Sequence, residues 1–215
     1  MKFNVPTKLT FFRLLLSIII IILMLFPFYR IGFEFDVIPY KGISIDVTYI
    51  LCGVIFILAS FTDYLDGYLA RKNKQVTDFG KFSDAIADKV LVNSVLIIFA
   101  AKGFIPAIIP VVIICRDIIV DAIRMNVATK GVVQAAKMSG KIKTACLMIG
   151  TILTFFYNLP FELFGLGVSK FFLYFGTLMS VVSLIEYYNL NKKKLFSEFE
   201  ETKSKKWLIF FNEFL

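Results

Sequence analysis

The 215-residue chain contains no histidine. Its absence excludes Ser-His and Cys-His catalysis, imidazole-bound zinc and phosphohistidine intermediates. Any proton transfer must therefore use a carboxylate, a lysine, a tyrosine, a cysteine or metal-bound water. Cysteine is also rare: Cys52, Cys115 and Cys146 are widely spaced within apolar runs. That pattern is typical of small buried side chains and argues against a disulfide framework or a thiolate metal site.

Charged residues are scarce as well, at 19% of the chain against 58% hydrophobic and 16% aromatic. This balance is too apolar for a soluble domain of such a size. Because the apolar runs are long and do not alternate in polarity, helices are favoured over a barrel. The sequence therefore predicts an all-α membrane protein, a bundle of six transmembrane helices. The predicted spans are about 9–28, 47–69, 82–101, 104–127, 140–158 and 169–190.

The chain has no internal repeat and no low-complexity linker, so residues 1–190 are predicted to form one domain. Residues 31–46 are expected to form a longer outer loop. A charged, amphipathic tail follows over residues 191–215, where lysines stand beside the apolar segment Trp207–Phe211. Such a segment suits an anchor lying on the inner leaflet, and a frayed tail is the alternative.

The net charge of +8 is unevenly placed. Lysine and arginine concentrate before helix 1, in the loops after helices 2 and 4, and after helix 6, whereas the opposite loops are poor in both. By the positive-inside rule, both termini and the even-numbered loops face the cytoplasm. No nucleic-acid motif accompanies the basic residues, so topology and anionic lipid explain them better than nucleic acid does.

Four aspartates stand at helical spacing in or beside apolar runs. Asp63 and Asp66 lie about 60° apart at the end of predicted helix 2, and Asp84 and Asp88 about 40° apart at the start of helix 3. Antiparallel helices would bring the two pairs to one depth near the cytoplasmic surface. Charge there is expensive, and four converging carboxylates repel one another unless cations neutralise them.

An oxygen-only site without histidine or cysteine selects hard ions, and four acidic groups suffice for two Mg²⁺ or Mn²⁺. Two such ions can stabilise the attacking and leaving oxygens in displacement at phosphorus. Nearby, Gly67 permits close approach of a substrate, Gly80 permits close packing, and Arg71 suits bidentate phosphate contact. The site is therefore predicted to carry out phosphoryl-type transfer. The alternative is that the aspartates are solvated charges at loop ends.

The pattern Asp63-x2-Asp66-Gly67-x2-Ala70-Arg71-x8-Gly80-x3-Asp84-x3-Asp88 resembles the signature of the CDP-alcohol phosphatidyltransferases, membrane enzymes of phospholipid synthesis. The resemblance implies a six-helix bundle in the bacterial cell membrane, usually a homodimer, with a di-metal site on the cytoplasmic side. It implies that the four aspartates bind metal and that Asp88 is also the catalytic general base. The residues expected to bind the donor, CDP-diacylglycerol, are Thr7, Thr10, Gly67, Ala70, Arg71 and Gly80.

Further segments, at 4–13, 73–82, 87–89, 116–124 and 140–144, resemble the bacterial branch of this family that makes phosphatidylglycerophosphate. That resemblance favours sn-glycerol 3-phosphate as the acceptor. Four basic residues in the inner halves of helices 4 and 5 support an anionic acceptor independently, because unpaired cations there would be costly. They are Arg116, Arg124, Lys141 and Lys143. The alternative is that they pair internally with Asp117, Asp121 or Glu186.

A few positions depart from the family pattern without removing a metal ligand: Thr7, Ser83, Ala85 and Asp117 stand where asparagine, leucine, proline and glutamate are usual. The nearest alternative function is a sister transferase with serine, an inositol phosphate or phosphatidylglycerol as acceptor. A catalytically inactive scaffold and a cation transporter are the others. A transporter is disfavoured because the outer halves of the helices, such as 18–25 and 90–100, are almost wholly apolar.

Overall fold

In the computed structural model, the backbone is described for residues 5–32, 35–72, 78–129 and 137–214. Side chains are described for residues 8–30, 32, 35–63, 65, 67, 80, 83–129 and 137–192. Six helices dominate this part of the chain, in agreement with the predicted helical fold. They are α1 (Val5–Leu25), α2 (Val47–Lys72), α3 (Asp78–Ala101), α4 (Ile108–Thr129), α5 (Met138–Phe155) and α6 (Val168–Phe214).

The helix ends follow from local chemistry. α1 ends shortly before Pro27, which has no amide hydrogen to continue the hydrogen-bond ladder. After α3, the amide of Phe104 donates to the carbonyl of Phe99 at 2.9 Å, across Gly103 at φ +80°. This is a Schellman arrangement, which satisfies the last carbonyls of the helix and needs a residue that tolerates positive φ.

The connection between α1 and α2 is more ordered than the outer loop predicted over residues 31–46. A short 3₁₀ helix, Phe28–Ile31, precedes an antiparallel hairpin of β1 (Val37–Tyr40) and β2 (Ile43–Asp46). Lys41 and Gly42 form its turn, both at positive φ. Two consecutive residues of this kind are the turn that matches the twist of a two-residue hairpin.

Packing places α1 against both α2 and α3, whereas α2 and α3 contact each other little. α6 packs against α4 and α5. The group of α1, α2 and α3 meets the group of α4, α5 and α6 at a core of aromatic rings. The ring centroid of Phe155 on α5 lies 4.7 Å from that of Phe99 on α3 and 5.7 Å from that of Phe56 on α2. All three rings are fully buried.

The outer surface of the bundle is apolar. Large aliphatic and aromatic side chains point away from the core along the helices, including Ile18, Ile118 and Phe171, each more than half exposed. A soluble monomer rarely exposes apolar surface on this scale, whereas lipid covers it without cost. In the described part, the segments long and apolar enough to cross a bilayer are Lys8–Leu25 and Val168–Lys192, and Val47–Asp63 is a shorter apolar stretch.

The other predicted spans combine apolar length with charges such as Asp88, Arg116 and Lys143, so the six-span topology stays a prediction. α6 also runs past the predicted domain boundary, without a break from residue 190 to residue 214. The division into a 1–190 domain and a 191–215 tail likewise stays a prediction.

Glycine sets the separation of α5 and α6. A Cβ atom added at Gly150 would lie 2.7 Å from Cγ of Leu173 and 3.1 Å from the backbone nitrogen of that residue. We expect Gly150→Val to lower the thermal unfolding midpoint in detergent, because overpacking a close helix contact costs about 1–3 kcal/mol. Gly167→Val is the matched control, since a Cβ there would lie 4.0 Å from its nearest neighbour, Lys170. Equal midpoints for the two variants would show that α5 and α6 are free to separate.

Candidate active site

A buried arginine joins the two aspartate-bearing helices. Arg13 on α1 is 0% exposed, and its two terminal nitrogens donate to Asp63 on α2 and to Asp84 on α3. The sequence predicts that the aspartate pairs of helices 2 and 3 meet at one depth. Asp63 and Asp84 converge on a cation that α1, which lies against both helices, supplies.

Sequence reasoning assigned Arg13 only to the basic start of helix 1. The available signal was its position: it is the sole charged residue between residues 9 and 29. A charge placed inside an apolar run requires a buried counter-charge, which here comes from the two carboxylates.

Asp63 also lines a cavity of about 570 Å³, together with Asp88, which lies one turn beyond Asp84 on α3. Residues from α2 to α6 form its wall. The four basic residues predicted to bind an acceptor phosphate all line this same cavity, although they are far from the aspartates in sequence. The lining residues are Ser60, Asp63, Asp88, Lys89, Arg116, Asp117, Val120, Asp121, Arg124, Gly140, Lys141, Lys143, Thr144, Ala145, Met148 and Tyr187.

Two of those four basic residues share a carboxylate. Oδ1 of Asp117 accepts from Arg116 Nη1 at 2.8 Å and from Lys143 Nζ at 2.5 Å, and all three side chains are at most 13% exposed. Internal pairing therefore accounts for part of the charge on Arg116 and Lys143. Both cations remain at the cavity wall, with one carboxylate between them.

The other two basic residues are placed differently. Asp121, considered above as a partner of Arg124, binds Lys89 instead. Glu186 accepts from Ser139 at 2.7 Å and lies 3.9 Å from Lys137. Among the residues whose side chains are described, no carboxylate lies within 4 Å of the charged groups of Arg124 or Lys141.

Tyr187 of α6 holds Arg124 in place. Nη2 of Arg124 donates to the tyrosine hydroxyl at 2.5 Å, and its guanidinium carbon lies 4.8 Å from the ring centroid. The same ring lies 6.0 Å from the guanidinium of Arg116, which also donates to Ser183 at 2.5 Å. α6 thus orients both arginines through neutral groups, which do not themselves cancel a charge. No sequence pattern singles out Tyr187 or Ser183, because both resemble ordinary polar residues of an apolar helix.

The cavity is electropositive on the side of α4 and α5, where Arg116, Arg124, Lys141 and Lys143 stand against the carboxylates of Asp117 and Asp121. Lys89, Asp63 and Asp88 also line the cavity, so the five cations of the whole lining exceed its four carboxylates by one. The positive side borders a space large enough for a small molecule and favours an anion.

The other predicted site residues divide into two groups. Thr10 is 3% exposed and lies one turn before Arg13 on α1, and Gly67 and Gly80 are partly buried on α2 and α3. Four predicted residues have side chains outside the described set, namely Thr7, Asp66, Ala70 and Arg71.

Metal binding was predicted for Asp63, Asp66, Asp84 and Asp88. Within the described side chains, no group of three or more aspartate, glutamate or cysteine residues is placed to hold an ion. The four-aspartate site stays a prediction, because the Asp66 side chain is not among them. The donors present fit a hard cation nonetheless: Asp63 and Asp84 offer only carboxylate oxygens, and both already converge on a positive group.

The family model for CDP-alcohol phosphatidyltransferase matches residues 3–182. The chain belongs to the CDP-alcohol phosphatidyltransferase family. The resemblance inferred from the aspartate spacing is therefore confirmed. Enzymes of this family are membrane proteins and generally depend on divalent metal ions.

Curated relatives within the family share one name, CDP-diacylglycerol–glycerol-3-phosphate 3-phosphatidyltransferase. The protein of that name from Bacillus subtilis is 40% identical over 193 residues, covering 90% of this chain and 97% of the relative. The Haemophilus influenzae protein is 35% identical over 203 residues, covering 91% of this chain and 97% of the relative. The Mycoplasma genitalium protein is 43% identical over 115 residues, covering 54% and 49%.

Asp117 is the carboxylate on which the cavity's buried cations depend. Asp117→Asn should destabilise this phosphatidyltransferase by about 3–5 kcal/mol, because Arg116 and Lys143 would be left buried without a counter-charge. The thermal midpoint in detergent measures the loss, and inorganic phosphate should restore part of it by occupying the cavity. Asp36→Asn is the control, since Asp36 is exposed on the outer connection. A midpoint for Asp117→Asn equal to that of the control would show that hydration alone stabilises the two cations.

Proposed function

We propose that the chain transfers the phosphatidyl group of CDP-diacylglycerol to sn-glycerol 3-phosphate, giving phosphatidylglycerophosphate and CMP. The observation that carries the proposal is that one cavity is lined both by Asp63 and Asp88 and by four basic residues. Support for the substrate pair comes from the relatives, whose names state this donor and acceptor.

The electropositive wall supports a phosphate monoester as acceptor. Arg124 and Lys141, for which the described residues provide no carboxylate, would bind its phosphate oxygens, with Arg116 and Lys143 beside them. Serine has no phosphate to pair with Arg124 and Lys141. An inositol phosphate or phosphatidylglycerol would supply one, so a sister transferase using either acceptor is the second candidate.

Asp88 is suited to the proton transfer because its carboxylate lines the cavity that would hold the acceptor. It would take the proton of the attacking hydroxyl as that oxygen bonds to the phosphorus carrying diacylglycerol. The bond from this phosphorus to the bridging oxygen then breaks, and CMP leaves with the electron pair. The proton stays on the Asp88 carboxylate until solvent removes it.

The donor would bind between α1, α2 and α3. In this proposal Thr7, Thr10, Gly67, Ala70, Arg71 and Gly80 hold CDP-diacylglycerol. Asp63, Asp66, Asp84 and Asp88 hold two Mg²⁺ or Mn²⁺ ions, which when bound neutralise the diphosphate charge. A donor set made only of carboxylate oxygens supports either metal.

The proposed setting is the bacterial cell membrane, with six spans, both termini and the cavity on the cytoplasmic side, and two copies of the chain per enzyme. The basic residues of the even-numbered loops support this orientation. The apolar outer surface of the helices supports their burial in lipid.

The purified protein in detergent should release CMP from CDP-diacylglycerol when Mg²⁺ or Mn²⁺ and sn-glycerol 3-phosphate are present, and chelation should abolish the release. Serine, inositol phosphate and phosphatidylglycerol serve as competing acceptors. Faster release with any of these three would transfer the proposal to that sister activity.

Asp88→Asn should lower CMP release by about 100-fold or more, the usual contribution of a positioned general base. Binding of CDP-diacylglycerol in the presence of metal should largely persist, since the other aspartates remain. Rates of CMP release and equilibrium binding of the donor separate the two effects. Near-normal turnover would contradict the assignment of Asp88 as the base.

Lys141→Ala and Arg124→Gln should each raise KM for sn-glycerol 3-phosphate by about tenfold, the loss of roughly 1.4 kcal/mol of phosphate binding. KM for CDP-diacylglycerol should change little. Lys170→Ala is the control, because Lys170 is an exposed lysine at the start of α6 and does not line the cavity. Equal increases in both constants would favour a purely structural role for the basic residues.

A further inference from the structure

A cation already occupies the meeting point of two of the aspartates proposed as metal ligands. Arg13 Nη1 binds Oδ1 of Asp63 and Nη2 binds Oδ1 of Asp84, from a side chain that is fully buried. The two carboxylates are themselves 34% and 43% exposed, so they remain open to the aqueous end of the bundle. The arginine approaches from inside the protein, and an ion from solution would approach from outside.

Unlike a surface arginine, Arg13 cannot move its guanidinium group into water. It lies on α1 between the two helices that it bridges, with Thr10 and Ser17, both buried, one turn to either side. Losing its carboxylates would leave a charge in the apolar core, at severe cost. Losing the arginine would leave two carboxylates facing each other without a counter-charge.

We propose that Arg13 is the resident counter-ion of the metal site, competing with divalent ions for Asp63 and Asp84 and keeping the empty site folded. Arg13 is a positioning residue in this role, since it acts through the carboxylates. The inference rests on the proposed function only in requiring that these aspartates bind metal. Metal binding then has a free-energy cost, because an entering ion must weaken the contacts of Arg13 with the two carboxylates.

Competition gives an unusual expectation for a residue at a metal site. Removing a residue that merely orients the ligands would weaken metal binding. Removing a competing positive charge should strengthen it, by about tenfold or more for a unit charge at contact distance. The empty protein should be destabilised by the same substitution, and bound metal should reverse that loss by mass action.

The test uses the full chain in detergent with Arg13→Gln, and Mn²⁺ alone as the probe. Mn²⁺ affinity is read from the electron paramagnetic resonance signal of the free ion, without substrates or turnover. The thermal midpoint is measured in chelator and in saturating Mn²⁺. We expect tighter Mn²⁺ binding than in the wild type, a midpoint several degrees lower in chelator, and a near-wild-type midpoint in Mn²⁺. Arg30→Gln is the control, because Arg30 is exposed at the outer end of the bundle.

Arg13→Lys provides a second variant that keeps the charge but cannot bridge both carboxylates with a planar fork. It should bind Mn²⁺ with an affinity close to that of the wild type and unfold at an intermediate midpoint in chelator. Unchanged or weaker Mn²⁺ binding by Arg13→Gln would overturn the inference and leave the proposed function intact. Failure of Arg13→Gln to fold in Mn²⁺ as well as in chelator would also overturn it. A wild-type protein that binds no Mn²⁺ would overturn the metal site of the proposed function as well.

Discussion

The buried ion cluster of Arg13, Asp63 and Asp84 is the interaction on which the arrangement of the first three helices depends. In an apolar bundle a charge is tolerated only beside its counter-charge, and here three helices each supply one member. Within the described residues α2 and α3 contact each other little, so Arg13 on α1 is the group that links their carboxylates. The same contacts that hold the helices together thus bring the proposed catalytic groups into one place.

Around α4, α5 and α6, the buried charges are neutralised less completely by counter-charges. Asp117 neutralises part of the charge on Arg116 and Lys143, and Asp121 neutralises Lys89. Arg124, by contrast, is held by the ring and hydroxyl of Tyr187, which fix its position without cancelling its charge. Complete neutralisation would make a more stable bundle that could not attract an anion. The charge left on Arg124 and Lys141 therefore suits the proposed binding of an acceptor phosphate, which would offset its cost.

A feature of this structure could be predicted from the sequence only where a residue pattern reports on it. Apolar runs report burial along the chain, and they located all six helices, although not the continuation of α6 or the hairpin around Lys41 and Gly42. Helical spacing reports which residues share a face, and the pairing of aspartates that it predicts within each helix stays a prediction, because the Asp66 side chain lies outside the described set. It cannot report which helix stands between two others, so α1 was missed as the element that joins them. Tyr187 was missed because a tyrosine in an apolar helix is ordinary until its neighbours are known.

α3 supplies a charged residue to each of two clusters, the one around Arg13 and the one beside α4. Asp84 points to the cluster with Arg13, and Lys89 points to Asp121 on α4. At about 100° per residue, Asp88 lies roughly 40° from Asp84 and 100° from Lys89 around the helix, between the two contacts. A rotation of α3 that moved Asp88 would have to break one of the ion pairs on either side. The carboxylate proposed to take the acceptor's proton is therefore held in direction by two charge contacts that it does not itself make.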